Sequence, residues 1–392
     1  MLAVALAMSL AVATQNAAAA DSQEGAREGV QPTVLHVGAK RELRRPSAAA
    51  QIARDGDVIE IDAGIYDGDA AVWRQHRLTI RGVGGRAHLR ADGAQAEGKA
   101  IWVVKGNDAT IEGVEFSGAK VPDHNGAGIR FEGAGLTVRD CYFHDNENGI
   151  LTSANPASDI VVEHSEFARN GFGDGYTHNL YIGNVRSFTL RFSYLHHALV
   201  GHNVKSRALR NHIMYNRIMD EKGGTSSYDI DLPNGGLSFV IGNLIQQGPE
   251  TEDSTIVTYG AEGLQHPINE LYFVNNTVVN DRPAGGRFLV VKPGTGTVRI
   301  VNNVFSGRGD VLTGPGELRN NMVAARTDFV DPAAFDYRLK AGAAAIGRGI
   351  DPGSAHGFEL RPTAEYAHEA GKRPRGNPGK LDVGALEYQH AR

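Results

Sequence analysis

The sequence contains a single cysteine, Cys141, among 392 residues. One thiol cannot form an intramolecular disulfide, and it cannot supply a metal site built from several cysteines. The sequence therefore offers no cysteine framework that would hold a small, loop-rich fold together. The stability of the chain has to come from a large packed core.

Charged residues are also scarce, at 22% of the chain, and the formal net charge is −5. Nucleic-acid-binding proteins carry a basic excess that complements the phosphate backbone, and this chain has none. We expect no nucleic-acid partner. No apolar run reaches the length of about 20 residues that crosses a bilayer, so no membrane span is expected either.

Residues 1–20 combine an apolar run of about a dozen residues with an alanine-rich tail, the pattern of a secretory signal peptide. The basic residues that normally precede such a run are missing. The pattern nevertheless predicts export, with the protein secreted or periplasmic. Residues 21–32 are then interpreted as an unstructured leader.

Several common motifs are absent as well. The sequence has no P-loop, GxGxxG, HExxH or GxSxG motif with its partner residues, so nucleotide-dependent enzymes, zinc proteases and serine hydrolases are unsupported. A sustained 3.6-residue hydrophobic period is also lacking, which excludes helical repeats.

What the sequence does have is an internal repeat. Nine six-residue segments align in one register, at intervals between 18 and 33 residues. Repeats of 20 to 50 residues indicate solenoids, in which each turn packs on the next. The segments are 111–116, 138–143, 162–167, 190–195, 213–218, 240–245, 273–278, 300–305 and 318–323.

Two positions within the repeat keep their character from turn to turn. The first is small or amide, and we call it the asparagine row: Val114, Cys141, Ser165, Ser193, Asn216, Asn243, Asn276, Asn303 and Asn321. The second, two residues later, is the apolar row: Phe116, Phe143, Phe167, Leu195, Ile218, Ile245, Val278, Phe305 and Val323. The apolar row predicts a stacked core inside short parallel strands, and the asparagine row predicts a tight bend with amides bonded along the axis. Cys141 would then be a buried thiol.

These patterns predict an all-β fold, a right-handed parallel β-helix of roughly ten turns. We assign residues 33–77 to an N-terminal amphipathic cap and the first strands, with a short helix over 47–53 capped by Ser47 and a strand over 58–61. The coils occupy residues 78–326. Residues 327–392 form a C-terminal cap and tail.

The repeat, the asparagine row, the phrase YRLKAGAAAIGRG (337–349) and the closing DVGALEY (382–388) together resemble secreted bacterial right-handed parallel β-helix proteins. This pectate-lyase-like superfamily includes polysaccharide lyases, alginate epimerases and some glycoside hydrolases. The resemblance implies an acidic polysaccharide as substrate and a protein that acts as a monomer. It is specific for the fold, since one fold hosts several chemistries.

One stretch, residues 174–234, concentrates polar residues on successive turns. A 24-residue step carries Leu180 to Val204 and Tyr181 to Lys205. Because side chains in a strand alternate between faces, neighbours of core residues should point outward. The expected core residues are Leu180, Ile182, Val204, Ile230 and Leu232. The expected outward residues are Asn179, Tyr181, Asn203, Lys205, Arg207, Asp229 and Asp231.

The outward set contains the groups needed to cleave a uronate chain by β-elimination. That reaction needs a clamp on the carboxylate, a base for the C5 proton and an acid for the leaving oxygen. We predict that Lys205 and Arg207, with Asn179, Asn203 and Asn234, bind the substrate. Tyr181 is the candidate base or acid. Lys205 is expected to act as its electrostatic partner, because Asp231 would keep the lysine charged.

The two histidines of this stretch allow two interpretations. His178 and His202 are either a stacked ring ladder continued by Tyr228 or a proton-shuttling catalytic pair. The remaining histidines that we considered are expected on the surface without a metal partner: His144, His164, His196 and His197.

The acidic residues allow three interpretations. Asp229 and Asp231 would bind Ca²⁺ together with Asp174 or Asn234, which makes calcium the one candidate cofactor. Alternatively, they are the acid and base of a glycoside hydrolase, or they simply pair with Lys205 and Arg207. A non-catalytic carbohydrate-binding or surface solenoid also remains open. It would present exposed aromatics in a groove, whereas the only tryptophans, Trp73 and Trp102, lie outside the polar turns.

Overall fold

The computed structural model describes residues 32–251, 253–376 and 380–389. The segments interpreted as signal peptide, 1–20, and leader, 21–32, lie outside these ranges apart from Pro32. Among the described residues, no helix combines the length and the apolar character needed to cross a bilayer.

Short parallel strands wind into a right-handed β-helix with three sheet faces, as the repeat predicted. Sheet 1 has ten strands, each paired in parallel with the strand one turn away. These are Ala71–Trp73, Ala100–Val104, Ala127–Phe131, Asn148–Thr152, Leu180–Ile182, His202–Ser206, Tyr228–Leu232, Thr255–Tyr259, Arg287–Val291 and Asp310–Thr313.

The other two faces are joined through the long strands Val58–Asp67 and Thr79–Arg90, which run along both. Besides these two, sheet 2 comprises Val34–Val37, Ala109–Glu112, Leu136–Arg139, Asn155–Glu163, Val185–Arg191, Arg210–Met214, Leu237–Ile241, Glu270–Val274, Val298–Val301 and Glu317–Arg319. Sheet 3 continues with Val114–Ser117, Tyr142–His144, Glu166–Ala168, Tyr194–His196, Arg217–Met219, Leu244–Gln247, Thr277–Asn280, Val304–Gly307 and Met322–Val323.

The apolar row is one continuous ladder on sheet 3, in the predicted register from Phe116 to Val323. Phe116, Phe143 and Phe167 stack with ring centroids 5.0 and 4.8 Å apart. All members are buried except Val323, which lies at the end of the row and is 75% exposed. The apolar row is therefore a continuous stack that runs through the hydrophobic core.

The asparagine row lies at the corner between sheets 2 and 3, and it is buried as predicted. From Asn243 onward each amide oxygen accepts a hydrogen bond from the side chain one turn earlier, as from Asn216 to Asn243 and from Asn243 to Asn276, both at 3.0 Å. Each amide nitrogen also donates to a backbone carbonyl, as Asn243 does to Ile213 at 2.8 Å. Cys141 occupies the same row, and burial raises the pKa of its thiol to about 12.

The unusual backbone angle of this corner belongs to the residue before the asparagine row. Asn275, Asn302 and Asn320 have φ values of 52°, 57° and 50°, in the left-handed region. The preceding residue is left-handed in every repeat: Gly113, Asp140, His164, Phe192, Tyr215, Gly242, Asn275, Asn302 and Asn320. The row amides themselves provide the hydrogen bonds that hold this strained corner, which is why side chains as large as Tyr215 are tolerated there.

The one α-helix in the described part of the chain, Pro46–Ile52, covers the first turn and buries Pro46, Ala49 and Ala50. The expected cap is wrong, because the helix begins one residue earlier and Ser47 lies inside its first turn. Asp69 performs the capping instead: its carboxylate accepts the backbone N–H of Ser47 at 3.0 Å and also the Ser47 hydroxyl. The predicted strand over 58–61 is the start of Val58–Asp67.

After the last turn, the chain folds back along the outside of sheets 2 and 3. Its regular elements are the 3₁₀ helices Arg326–Asp328 and Pro332–Ala334 and three antiparallel strand pairs. The pairs are Phe329–Asp331 with Asp336–Leu339, Ser354–Ala355 with Phe358–Glu359, and Ala364–Ala367 with Gly371–Pro374. The segment reaches the middle turns, where the ring of His164 is 2.9 Å from the carbonyl oxygen of Ala370.

Candidate active site

The outer surface of sheet 1 brings three of the predicted residues side by side on consecutive turns. Tyr181 pairs with Lys205, and Lys205 pairs with Asp231, in the register that the 24-residue step predicts. Thr258 continues the same column on the next turn. The core partners Leu180, Val204 and Ile230 alternate with this column and are fully buried. A phenol, an amine and a carboxyl group thus form one row on the outer face of sheet 1, with Lys205 and Asp231 largely covered by their neighbours.

Three residues predicted on the same surface point inward instead. Asn179 and Asn203 are completely buried, and Asp229 is 1% exposed. The amide of Asn179 donates to Asn203 at 2.7 Å, and Asn203 donates to Asp229 at 3.0 Å. The prediction that the two asparagines bind substrate is therefore wrong.

The reason is a local break in strand alternation at the entry to the strands His202–Ser206 and Tyr228–Leu232. His202 pairs with Tyr228 and Val204 pairs with Ile230, but Asn203 and Asp229 do not appear in this pairing. Two consecutive residues, Asn203 and Val204, thus both face the interior. A rule of strict alternation cannot anticipate this.

The buried hydrogen-bonded chain that runs from Asn179 through Asn203 ends at the carboxyl group of Asp229. One of its oxygens accepts from Asn203, while the other has no hydrogen-bond partner among the described residues. Burial raises the pKa of Asp229 well above its ordinary value of 3.8. Because Asp229 is 1% exposed and points into the interior, it cannot flank a glycosidic bond together with Asp231. The two carboxyl groups therefore do not lie together on the groove surface.

A carboxylate already occupies the space between the two cations of the groove. Glu262 lies 3.0 Å from the Nζ atom of Lys205 and 2.7 Å from the Nη1 atom of Arg207. Hydrogen bonding from Arg207, then from Lys205, lowers the pKa of Glu262 to about 2 despite partial burial. Lys205 and Arg207 therefore converge on a single carboxylate at the surface.

Arg207 also connects this carboxylate to Tyr181. Its Nε atom donates to the phenolic oxygen of Tyr181 at 2.8 Å, and its Nη1 atom donates to Asn234 at 2.6 Å. Arg207, rather than Lys205, is thus the cation hydrogen-bonded to the tyrosine. A guanidinium in this position stabilises the negative charge that the phenol carries after losing its proton.

Asp231, on the neighbouring turn, forms an ion pair with Lys205. Its carboxylate is 3.1 Å from the Nζ atom of Lys205 and also accepts a hydrogen bond from the hydroxyl of Thr258. Burial raises the pKa of Asp231 above its ordinary value, since the residue is 2% exposed. The lysine therefore lies between two carboxyl groups, Asp231 in the floor and Glu262 at the surface.

The two histidines form the predicted ring ladder. His178 stacks on His202 with centroids 4.7 Å apart, and His202 stacks on Tyr228 at 4.9 Å. The Nδ1 atom of His178 accepts the backbone N–H of His202 at 3.0 Å. Burial lowers the pKa of His202 to about 3 and that of His178 well below 6.5. Burial therefore disfavours the charged form of both rings, as the stacked arrangement requires.

The three carboxylates predicted to bind Ca²⁺ do not come together. Asp229 is inside the core, and Asp231 is engaged by Lys205 and Thr258. Asp174 lies in a turn, where it accepts the backbone N–H of Tyr176 at 2.9 Å. The calcium prediction from these residues is wrong, since their oxygens serve three separate hydrogen-bond networks.

Tyr181, Lys205, Arg207 and Glu262 line an open groove with a cavity of about 780 Å³. Tyr176 stands at its edge and is 83% exposed. The cavity is lined by Asn125, Arg130, Leu151, Thr152, Ser153, Ala154, Gly175, Tyr176, His178, Tyr181, Gly183, Asn184, Lys205, Arg207 and Glu262. A groove of this shape suits an extended polymer, with Tyr181, Lys205 and Arg207 on its floor.

Sequence reasoning missed Glu262. The residue lies in the loop after the strand Thr255–Tyr259, outside any strand periodicity. The available signal was its flanking glycines, Gly260 and Gly263, which adopt φ values of 78° and 110° and turn the loop back over the groove. The backbone N–H of Glu262 then donates to the carbonyl of Pro233 at 2.9 Å, which anchors the loop.

Two other expectations concern aromatic residues. His196 is buried and stacks on Tyr194 at 4.1 Å, so its assignment to the surface is wrong. Trp73 and Trp102 are fully buried and contact each other edge to face at 5.3 Å. Neither tryptophan is available to stack on a sugar.

Comparisons with known proteins agree with this architecture. The chain matches the family model of the right handed beta helix region over residues 92–185. No curated protein matches the sequence. Pectate lyase Pel9A superposes with a TM-score of 0.58 at 13% identity, covering 92% of this chain and 98% of that chain.

Two further solved structures are more distant. An alginate lyase from Paenibacillus sp. str. FPU-7 gives a TM-score of 0.43 at 14% identity, covering 73% of this chain and 97% of its own. The ORF18 protein of Geobacillus virus E2 gives 0.34 at 13% identity, covering 69% and 53%. The likeness to the pectate lyase shows the fold, a right-handed parallel β-helix, as the sequence resemblance implied.

Proposed function

We propose that this protein is a polysaccharide lyase, or the closely related C5-epimerase, acting on a uronate-containing polymer in the groove of sheet 1. The observation that carries the proposal is the convergence of Lys205 and Arg207 on one carboxylate, with the phenolic oxygen of Tyr181 hydrogen-bonded to the same arginine. Hydrolysis of a glycosidic bond needs no such clamp. Abstraction of the proton beside a uronate carboxylate does.

In this mechanism the substrate carboxylate takes the place of Glu262 between the two cations. Neutralising that carboxylate acidifies the C5 proton, and the oxygen of Tyr181 removes it. The C4–O bond then breaks as the C4=C5 double bond forms. The leaving oxygen needs a proton, and the phenol of Tyr181 holds the one just taken from C5.

The same first step serves epimerisation. If the leaving group stays in place, water protonates the carbanion at C5 from the opposite face, the proton held by Tyr181 returns to solvent, and no bond to C4 breaks. Lys205 and Arg207 play the same part in both outcomes. His178 and His202 are assigned a positioning role, because their stacked neutral rings support the turn that carries Tyr181.

The pectate lyase Pel9A, whose fold is shared, acts on an acidic polysaccharide by name. This supports an acidic polymer as the substrate class, and the open groove supports an extended chain. Such polymers lie outside the cytoplasm. Together with the apolar segment 1–20, this supports our proposal that the protein is exported.

The test uses the variant Tyr181→Phe with a panel of uronate polymers. Turnover should fall by about 10²–10⁴-fold, the usual contribution of a general base, while polymer binding stays nearly unchanged. Arg207→Ala should weaken both binding and rate. The measurements are ultraviolet absorbance of the unsaturated product, deuterium exchange at C5 and polymer affinity.

Arg186→Ala is the matched control, because Arg186 is 60% exposed and pairs only with Asp159 on another face. Full activity of Tyr181→Phe would contradict the mechanism. Products with hydrolytic ends and no exchange at C5 would indicate a hydrolase with other residues. Binding without any chemical change would indicate a non-catalytic solenoid.

A further inference from the structure

Far from the groove sheet, the outer surface of sheet 3 gathers three potential metal ligands from three successive turns. His88 lies near the end of the strand Thr79–Arg90, Glu115 lies in Val114–Ser117, and His144 ends Tyr142–His144. In the parts of the chain that the structure describes, this is the one place where three such ligand atoms lie within 4.8 Å of each other. No sequence motif signals it, because 29 residues separate Glu115 from His144.

The distances suit a tetrahedral ion. One carboxylate oxygen of Glu115 is 3.3 Å from the Nδ1 atom of His88 and 3.0 Å from the Nε2 atom of His144. Zinc bonds of 2.0–2.1 Å place neighbouring tetrahedral ligands about 3.3 Å apart. An ion could therefore be accommodated with only small movements of these side chains.

The second nitrogen of each ring is already held by another residue. The Nε2 atom of His88 is 2.7 Å from the hydroxyl of Ser117, and the Nδ1 atom of His144 is 2.6 Å from the carboxylate of Asp145. Arg169 holds Asp145 through two hydrogen bonds of 2.9 and 3.0 Å. Histidines that bind metals are usually oriented in this way, by a carboxylate or another acceptor on the far nitrogen.

The hydrogen-bond partners of His144 give a further reason to place a cation between this ring and Glu115. Each ring nitrogen of His144 faces a carboxylate oxygen, Nδ1 that of Asp145 and Nε2 that of Glu115. A metal ion bound between Nε2 and the Glu115 oxygen would take the lone pair of Nε2 while the Nδ1–H donates to Asp145.

We propose that His88, Glu115 and His144 form a binding site for a divalent transition-metal ion of the zinc type. Two imidazoles and one carboxylate are borderline ligands that suit zinc, cobalt or nickel better than calcium or magnesium. Three protein ligands leave a position for water, and all three residues are partly exposed, so the ion can enter from solvent. The site lies on sheet 3 and is independent of the groove chemistry.

The test is zinc binding to the untagged full-length protein, followed by isothermal titration calorimetry and by elemental analysis after dialysis. One zinc ion per chain is expected. Asp145→Asn, which leaves the three ligands intact, should weaken zinc affinity by about 10–100-fold. Glu115→Gln and His144→Ala should weaken it further. Cobalt(II) in place of zinc should give the intense visible absorption of a tetrahedral centre.

His356→Ala is the control, because His356 forms a comparable pair with Glu270 at 2.8 Å but has no second histidine. Its zinc affinity should equal that of the wild type. Circular dichroism confirms that each variant is folded. Absence of stoichiometric zinc binding by the wild type overturns the proposal. The proposal is also overturned if Glu115→Gln and His144→Ala bind zinc with the same affinity as the wild type, since zinc would then be bound elsewhere.

Discussion

At the scale of single residues, the most informative side chain of the groove is Glu262. Its carboxylate makes the contacts with Lys205 and Arg207 that a bound uronate would make in the proposed mechanism. Backbone hydrogen bonds from Gly260, Glu262 and Gln265 anchor the loop, while the Glu262 side chain is 45% exposed and is held by the two cations. We interpret Glu262 as an internal substitute for the substrate carboxylate. It keeps Lys205 and Arg207 in position until the substrate replaces it.

Glu262→Gln should therefore lower KM for an acidic polymer by several-fold at low salt. The substitution removes the competing negative charge and leaves the groove more positive. The difference from wild type should shrink as ionic strength rises, because exposed charges are screened. Steady-state kinetics at several salt concentrations measure this, and an unchanged or higher KM at low salt would show that Glu262 helps rather than hinders binding.

Asp229→Asn tests the interior position of a residue that the sequence had placed on the surface. Its folded-state pKa is raised above the unfolded value of about 3.8. The wild type therefore loses stability as pH rises above this value, because folding has to keep a proton that the unfolded chain releases. An asparagine still accepts from Asn203 and carries no charge. The variant should gain stability relative to wild type between pH 5 and pH 8.

Thermal unfolding of both proteins across that pH range gives the comparison, and activity is measured on the same samples. Activity should be retained, since Asp229 does not reach the groove. A variant that is folded but inactive would return Asp229 to the catalytic site, whereas parallel stability curves would show that its carboxyl group is not held neutral.

At the scale of the element, each turn is defined by its corner between sheets 2 and 3. The asparagine row and the apolar row were predictable from sequence because they obey a fixed offset within every repeat. The left-handed conformation of the residue before the asparagine row was not predictable from sequence, since Asp140, His164 and Tyr215 share no chemical type. Backbone conformation at such a position is imposed by the hydrogen bonds of its neighbours.

Asn243→Ala should destabilise the protein by about 1–3 kcal/mol, because buried amide and backbone partners lose a hydrogen bond without access to water. Asn276→Ala should behave alike. Asn321→Ala is the matched control at the partly exposed end of the row, where water can replace the lost bonds, so its cost should be smaller. Denaturant unfolding measures all three, and unchanged midpoints for the two interior variants would contradict the structural role of the row.

The candidate site divides in the same way into predictable and unpredictable parts. Tyr181, Lys205 and Asp231 lie within regular strand pairing, so their common surface follows from spacing alone. Asn179 and Asn203 sit where alternation breaks, and the same rule placed them on the wrong side. Glu262 comes from a loop, whose path depends on glycine geometry and tertiary anchoring rather than on any period.

At the scale of the whole molecule, the returning C-terminal segment completes the hydrophobic packing of the β-helix. Val383 and Tyr366 pack in one buried cluster with Tyr194 and Met219 of sheet 3. Asn275, from a corner in the later turns, donates to the carbonyl of Asp382 at 2.9 Å. Turns from the middle to the end of the solenoid therefore share a common cover, and we expect the solenoid and this segment to unfold together.

Val383→Asp should therefore lower the single unfolding transition of the entire molecule, by about 3–5 kcal/mol, since an uncompensated charge replaces a fully buried side chain. Val323→Asp makes the same chemical change at a site that is 75% exposed and should stay within about 0.5 kcal/mol of wild type. Calorimetry and binding of a hydrophobic dye report the transition and the uncovered surface. If Val383→Asp instead leaves the main transition in place and adds a separate early one, the segment unfolds on its own and the β-helix is stable without its cover.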